Sequence, residues 1–306
     1  MTDVSTQDWL VPLPERAMAE IEAFVAGLRR DPLPTVLLAP PAAGFDACRA
    51  AMAEVGERLR GPVGLAVLDR VPVERFAEEE NRAIGWVLGS LLGRLVAQKW
   101  DGTMLYDVRD TGKRLEYGVR RSVTNLELQF HTDAPWLALP PEHVGLLCLA
   151  TATQGGVSRF VSLADVADTL GRRSPGLLKR LYEPFPFDRQ AEHVPADAKV
   201  EWQPIFADKA DGLLCRYNRA LIDTGAELAG EAIDQEATEA LDAMRELVES
   251  PQRWVELTME RGQLQYLDNR RFAHARTPFV DGEAPEQKRH LIRLWNRDEG
   301  RRTFHG

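Results

Sequence analysis

After Asp101-Gly102 the chain changes texture, and that change constrains its fold more than any other feature. Short apolar runs follow one another, at 104–108, 126–130, 144–149 and 157–161. Later runs lie at 200–206, 213–217, 253–257, 263–267 and 290–295. The separators are rich in Gly, Pro and Asp, so these runs read as strands joined by tight turns. They are interrupted by helices but do not alternate with them as βαβ units. The expected class is therefore α+β, with an antiparallel double sheet or barrel at its centre. No glycine-rich phosphate loop lies between a strand and a helix, which argues against a nucleotide fold.

The first hundred residues are helical by contrast. Apolar positions Met18, Ile21, Phe24, Val25 and Leu28 predict a helix over 15–30, stopped by Pro32 and Pro34. A second helix is expected over 45–60, followed by a buried strand at 64–69. A long helical pattern then covers 74–99, with Gly85, Gly89 and Gly93 along one edge. Each interior glycine costs ~1 kcal/mol against alanine, so close packing on a sheet is the expected compensation. Ser162 and Ser174-Pro175 carry helix-start signals. Residues 184–200 read as a long surface loop or lid, and Leu213–Tyr217 as a strand whose end exposes Arg216 and Arg219. An amphipathic helix follows through Ile233, Leu241 and Val248. The expected organisation is an N-terminal helical region, 1–63, packed on a domain spanning 64–306.

With 306 residues, 44% of them hydrophobic and 28% charged, the chain has the composition of an ordinary globular protein. A net charge of −9 argues against nucleic-acid binding. Three cysteines, scattered and without a CxxC pair, indicate neither a zinc knuckle nor a disulfide framework. The N-terminus lacks the look of a leader peptide and no apolar run has membrane-spanning length, so a cytoplasmic setting without membrane contact is expected.

Chemistry concentrates first in Phe130-His131-Thr132-Asp133-Ala134-Pro135-Trp136. A His and an Asp one residue apart point to the same side of an extended chain, where both could hold one metal ion. Two ligands are not a site. His274 lies after the 263–267 strand near a polar turn; it is either a third ligand or a surface histidine among solvated arginines. In the last strand, alternation puts Arg289, Leu291, Arg293 and Trp295 on one face. Two guanidiniums on an apolar strand need anions, whether protein carboxylates or an anionic ligand.

These motifs, in this order, resemble the taurine-dioxygenase-like (TauD/TfdA, clavaminate-synthase-like) Fe(II)/2-oxoglutarate oxygenases over roughly residues 64–297. The motifs are Phe130-His131-Thr132-Asp133, then Leu146–Leu149, then Gly155-Gly156-Val157-Ser158 leading to Val161-Ser162. Asp268-Asn269-Arg270-Arg271 with His274, and Arg289 with Arg293, complete the set. The resemblance implies a double-stranded β-helix (jelly roll, cupin-like) flanked by helices, and Fe(II) held by His131, Asp133 and His274. Such a face leaves positions for 2-oxoglutarate and O2. It further implies Ser158 and Arg289 on the distal carboxylate of 2-oxoglutarate, although Thr is usual at the Ser158 position. Arg293 is implied near the reacting substrate. Because halogenating relatives lack the carboxylate, Asp133 implies a hydroxylase or related oxidase and not a halogenase, with 2-oxoglutarate converted to succinate and CO2.

Substrate contacts are expected from Asn125, Glu127, Trp136 and Arg219 beside Arg293. Together they favour a small anionic molecule such as a free or carrier-bound amino acid. The same iron centre could instead desaturate, epoxidise or cyclise, and a non-catalytic jelly-roll binding protein is the reading from another class. A homo-oligomer is left open.

Overall fold

The turn-rich half of the chain folds as two facing sheets. The computed structural model describes residues 8–116, 118–194, 196–210 and 212–305; Met1–Gln7, most of the stretch read for a leader, lie outside them. In chain order the strands are β1 (Leu10–Pro12), β2 (Leu65–Asp69), β3 (Tyr106–Val108), β4 (Leu128–His131), β5 (His143–Ala150), β6 (Gln154–Gly155), β7 (Ser158–Ser162) and β8 (Pro184–Asp188). They continue with β9 (Val200–Pro204), β10 (Phe206–Lys209), β11 (Gly212–Cys215), β12 (Val255–Leu257), β13 (Leu264–Asp268), β14 (Phe272–Arg276), β15 (Phe279–Val280) and β16 (His290–Asn296). The helices are α1 (Glu15–Arg30), α2 (Asp46–Arg60), α3 (Glu78–Leu92), α4 (Leu163–Arg173), α5 (Pro175–Arg180), α6 (Arg219–Ala229) and α7 (Gln235–Val248).

The larger sheet has the order β1-β2-β13-β5-β16-β3 and the smaller β12-β7-β14-β4. All pairs in them are antiparallel except β1 with β2. This is the double-stranded β-helix, and helices cover both outer faces. Helices α1, α2 and α3 pack on the larger sheet through Ile21, Val25, Met52, Val55, Ile84 and Leu88. Helices α4, α6 and α7 pack around the smaller sheet through Leu170, Ile222, Leu241 and Met244. One end of the interior is filled by Leu65, Val67, Cys148, Phe160, Leu257, Phe272 and Leu291, contributed by both sheets. The other end is open.

The glycine edge of α3 does lie against the sheet. A Cβ on Gly85 would stand 3.3 Å from Leu147, and one on Gly89 would stand 2.8 Å from the Tyr266 hydroxyl and 3.2 Å from Leu294. The helix is shorter than its pattern, ending at Leu92, because the Asn296 side chain takes the carbonyls of Gly89 and Gly93 at 2.9 Å each. Residue Leu95 then bridges to Asn296 as extended chain.

Three expectations need correction. Residues 184–200 are a loop only in part: 184–188 form β8, which pairs antiparallel with β9 from Val200, and the long connection is confined to 189–199. Phe185 and Phe187, two apart on one face, are buried in the core, and prolines are tolerated on such a short ribbon. His274 does follow a strand, β13, and its turn, but it lies on a further strand and not in a loop, in the middle of β14. Arg219 does not end a strand but begins α6, whose start is capped by the Asn218 side chain accepting from Leu221 N at 3.1 Å. No helix among the described residues is long and apolar enough to cross a membrane.

The N-terminus of α2 shows how the helical layer is fastened. Its own cap residue, Phe45, offers no side-chain acceptor. The buried Glu20 carboxylate of α1 instead accepts from Ala47 N at 3.1 Å and Cys48 N at 2.9 Å. Burial works to raise the Glu20 pKa, but these N–H donors prevail and hold it below its ordinary 4.5. Glu20→Ala should lower the unfolding free energy by about 1–3 kcal/mol in a urea titration at neutral pH. Since the folded-state pKa is depressed, that difference should vanish as the pH falls through it.

Candidate active site

Strand β4 ends at His131, which lies opposite His274 of β14. The His131 Nδ1 is 2.9 Å from Gln129 O, so this nitrogen carries the proton and Nε2 keeps its lone pair. After His131 the chain leaves the sheet. Thr132 is locked to Tyr217 twice: its N–H donates to Tyr217 O at 2.7 Å, and its hydroxyl oxygen accepts from Tyr217 N at 3.1 Å. Ala134 then turns the backbone with φ +50°, a left-handed conformation uncommon outside glycine. Between them Asp133 points back under the two imidazoles. Its Oδ1 is 3.3 Å from His131 Nε2 and 3.7 Å from His274 Nε2. One donor atom from each of the three residues falls within 4.8 Å of the others.

The other carboxylate oxygen is held from the opposite sheet. Asp133 Oδ2 lies 3.0 Å from an Arg293 guanidinium nitrogen and accepts from Trp295 Nε1 at 2.8 Å. Burial alone would raise the Asp133 pKa, but Arg293 and the imidazoles outweigh it and hold the carboxyl well below its usual range. Burial, reinforced by His131, drives His274 down to about 3. A carboxylate and two neutral imidazoles are the forms that bind a divalent metal. Asp133 and the histidines thus fit an Fe(II) site in donor type and convergence.

A cavity of about 420 Å3 opens over these donors. It is lined by His131, Asp133, Trp136, Ser158, His274, Arg289 and Arg293 among others. Ser158 of β7 and Arg289 are both buried. Arg289 makes no ion pair among the described residues, its Nη1 has no hydrogen-bond partner, and burial pushes its pKa down to about 10. Gly156 (φ +72°) makes room for it, since a Cβ there would stand 3.2 Å from Arg289 Nε. Arg293 is stacked between the Tyr106 and Trp295 rings, 4.8 and 4.9 Å from their centroids. Its Nε donates to Gln98 Oε1 at 2.7 Å, and its Nη2 is buried without a partner.

The remaining sequence candidates divide. Trp136 lines the cavity, buried, with its indole N–H unpartnered. Asn125 and Glu127 are exposed and do not line it. Arg219 is turned outward, paired with Asp223 at 2.9 Å and Asp242 at 2.7 Å. The structure therefore does not bring Glu127 to the cavity beside Arg293, and the Arg219 charge is already paired.

Other residues of the site were not singled out in the sequence. Asn269 is fully buried; its Oδ1 accepts from Asp133 N at 2.7 Å, and its Nδ2 donates to the carbonyls of Asp133 and Pro141 at 3.1 Å each. It clamps the metal-donor loop. The signal was present in the Asp268–Arg271 motif, but not its purpose. Arg276, two residues beyond His274, also lines the cavity and donates to the carbonyls of Thr124 and Leu126. A second cluster, Glu78, Asp107 and His290, already contains its cation: Arg82 lies 2.8 Å from Glu78 and 2.5 Å from Asp107.

A jelly roll with two histidines and one carboxylate at its open end defines a class, the mononuclear iron oxygenases. Residues 44–295 match the taurine catabolism dioxygenase TauD, TfdA family, and the chain belongs to it. It is accordingly an Fe(II)/2-oxoglutarate-dependent dioxygenase that uses O2. FR-33289 synthase of Streptomyces rubellomurinus is 31% identical over 301 residues, covering 97% of this chain and 87% of that protein. Taurine hydroxylase-like protein SAT17 of Stachybotrys chartarum is 24% identical over 307 residues, covering 96% and 76%. Among solved structures, asparagine oxygenase with Fe(II), 2S,3S-3-hydroxyasparagine and succinate superposes with a TM-score of 0.70. It is 19% identical, and the match covers 95% of this chain and 94% of that one. Non-heme iron oxygenase OrfP with Fe and alpha-ketoglutaric acid gives 0.68 at 16% identity and the same coverage.

Replacing Asn269 with Ala should weaken Fe(II) binding by about 10–100-fold, as removal of a residue orienting a ligand does. Anaerobic titration of the apoprotein checks this, with circular dichroism showing that the fold persists.

Proposed function

We propose that this dioxygenase hydroxylates an unactivated C–H bond of a small anionic, amino-acid-like molecule. His131, Asp133 and His274 hold the iron in this reading, Arg289 and Ser158 take the distal carboxylate of 2-oxoglutarate, and Arg293 takes an anionic group of the substrate. In this reading the described part of the N-terminal region 1–63 adds edge strand β1 and a helical packing layer to an oxygenase domain spanning 64–306. The observation that carries the reading is a group of buried guanidiniums facing one cavity: Arg289 and Arg293, and with them Arg120 and Arg276, each keep an N–H without a hydrogen-bond partner among the described residues. A buried cation with open donors calls for an anion, and a cavity lined by several suits a diacid co-substrate and a substrate that bears a carboxylate.

The iron, with 2-oxoglutarate and O2, supplies the oxidising power, and 2-oxoglutarate leaves as succinate and CO2. The protein's own contribution is electrostatic and steric. Arg293 and Trp295 keep Asp133 ionised without water. The Gln129 carbonyl keeps the His131 lone pair turned inward. Trp136, Phe160 and Leu146 give the cavity an apolar wall against which a substrate carbon would lie. The presence of 3-hydroxyasparagine in asparagine oxygenase, and of (3S)-hydroxy-L-Arg in OrfP, supports an amino-acid-like substrate here.

Asp133→Ala and His274→Ala should each abolish 2-oxoglutarate-dependent succinate formation; near-normal turnover in either would show the ligand assignment to be wrong. Arg289→Ala should raise the KM for 2-oxoglutarate at least about tenfold, the loss of one charge-assisted contact. An unchanged KM would move that role to another residue.

A further inference from the structure

The cavity is not cationic throughout. Arg276, Arg289 and Arg293 lie on β14 and beside or within β16, whereas the wall built by β8 and α6 carries a carboxylate, Asp188, with Gln190 and Thr224. Asp188 is 4% exposed and makes no ion pair among the described residues. The adjacent Arg189 turns the other way, to Asp197 and Glu201. Asp188 Oδ1 accepts from Gln190 N at 2.8 Å. Its Oδ2 lies 3.3 Å from the Thr224 hydroxyl, but that hydroxyl has one proton and Ala220 O stands nearer, at 2.9 Å. Oδ2 thus has only a shared donor. Burial raises the Asp188 pKa, and the Gln190 N–H, the Thr224 hydroxyl and the His193 imidazole offset only part of that. A carboxylate removed from water without a cation is costly.

The carboxylate is also held in place. A Cβ on Gly225 would stand 2.4 Å from Pro186 O and 2.8 Å from Asp188 N, so α6 rests directly on the β8 backbone. Gln190 and Ala191 both adopt positive φ, +52° and +60°, and such strain in non-glycine residues collects at functional sites. Helix α6 gives the scale. Its cap residue Asn218 bridges to His131, and Thr224 lies six positions further, about 9 Å along the axis at the helical rise.

Resting on the function proposed above, we infer that Asp188 receives a cationic side-chain group of the substrate, an ammonium or guanidinium, at the end remote from the iron donors. The substrate is then an amino-acid-like molecule whose anionic group is the carboxylate at Arg293 and whose cationic side chain extends along α6. The α-ammonium, one carbon from the carboxylate, stays at the iron end.

Isothermal titration calorimetry of the anaerobic Fe(II)–2-oxoglutarate protein tests this with L-arginine against its neutral isostere L-citrulline, and L-lysine against L-norleucine. At least one cationic member should bind about tenfold or more tightly than its neutral partner, the scale of one charge-assisted contact. Asp188→Asn should bring that ratio near one while leaving 2-oxoglutarate binding unchanged. Equal binding within both pairs, no binding of either cationic probe, or a preference that survives in Asp188→Asn overturns the inference. If that variant does not fold, the wild-type ratios decide alone. Binding of 2-oxoglutarate is measured in the same samples, and its absence would overturn the underlying functional reading instead.

Discussion

The site depends on keeping one carboxylate ionised where water is excluded. Asp133 leaves the smaller sheet on the loop after β4, and its charge is met by Arg293 and Trp295 from β16 of the larger sheet. The two sheets are therefore joined at their open end by a buried ion pair. Breaking such a pair by removing one partner costs about 3–5 kcal/mol, because the survivor stays buried and unpaired. Arg293 is itself braced: Gln98 accepts from its Nε and donates to its carbonyl and to Met104 O, so the guanidinium cannot swing away from the carboxylate.

Strand geometry does the rest of the positioning. In β14 and β7 the partners are His274 with Phe160, and Arg276 with Ser158, so histidine and arginine face the same interior at successive levels. In β16 the alternation places Arg293 and Trp295 inward while Ile292 and Leu294 pack under the helices. Donors for the metal, the co-substrate and a substrate carboxylate thus come from strands whose pleat fixes their separation. The more adaptable loops are left to wall the cavity.

Much of this was legible because the signals were local. The α1 and α2 patterns, the alternation in β16 and the Ser162 cap all concern neighbours in sequence, and the Ser162 side chain does accept from Asp165 N. Where reading failed, long-range packing had overruled a local cue. The prolines of 184–200 masked the two-residue spacing of Phe185 and Phe187, which becomes meaningful only against the α6 side of the core. Helix α6 carried its own signals, Asn218 before it and Gly230 after it in a left-handed cap, yet the preceding β-rich run drew attention to strand. Glu127 and Asn125 looked close to the metal donors because they are close in sequence. A strand alternates faces, and loops move away, so adjacency did not carry side chains into the cavity. Asp188, far from every motif in sequence, reaches the cavity only through the β8–α6 contact.

The glycine edge of α3 bears on how the enzyme can vary. Gly89 touches Leu294, and Leu294 stands on β16 between Arg293 and Trp295, the two residues that grip Asp133. The protein between the outer helical layer and the reaction chamber is here one backbone thick. A methyl group added at Gly89 would press on Tyr266 and on Leu294, so the helix spacing and the aim of the carboxylate are not independent variables. Variation that retunes this chemistry is consequently free to arise in a helix that never meets the substrate.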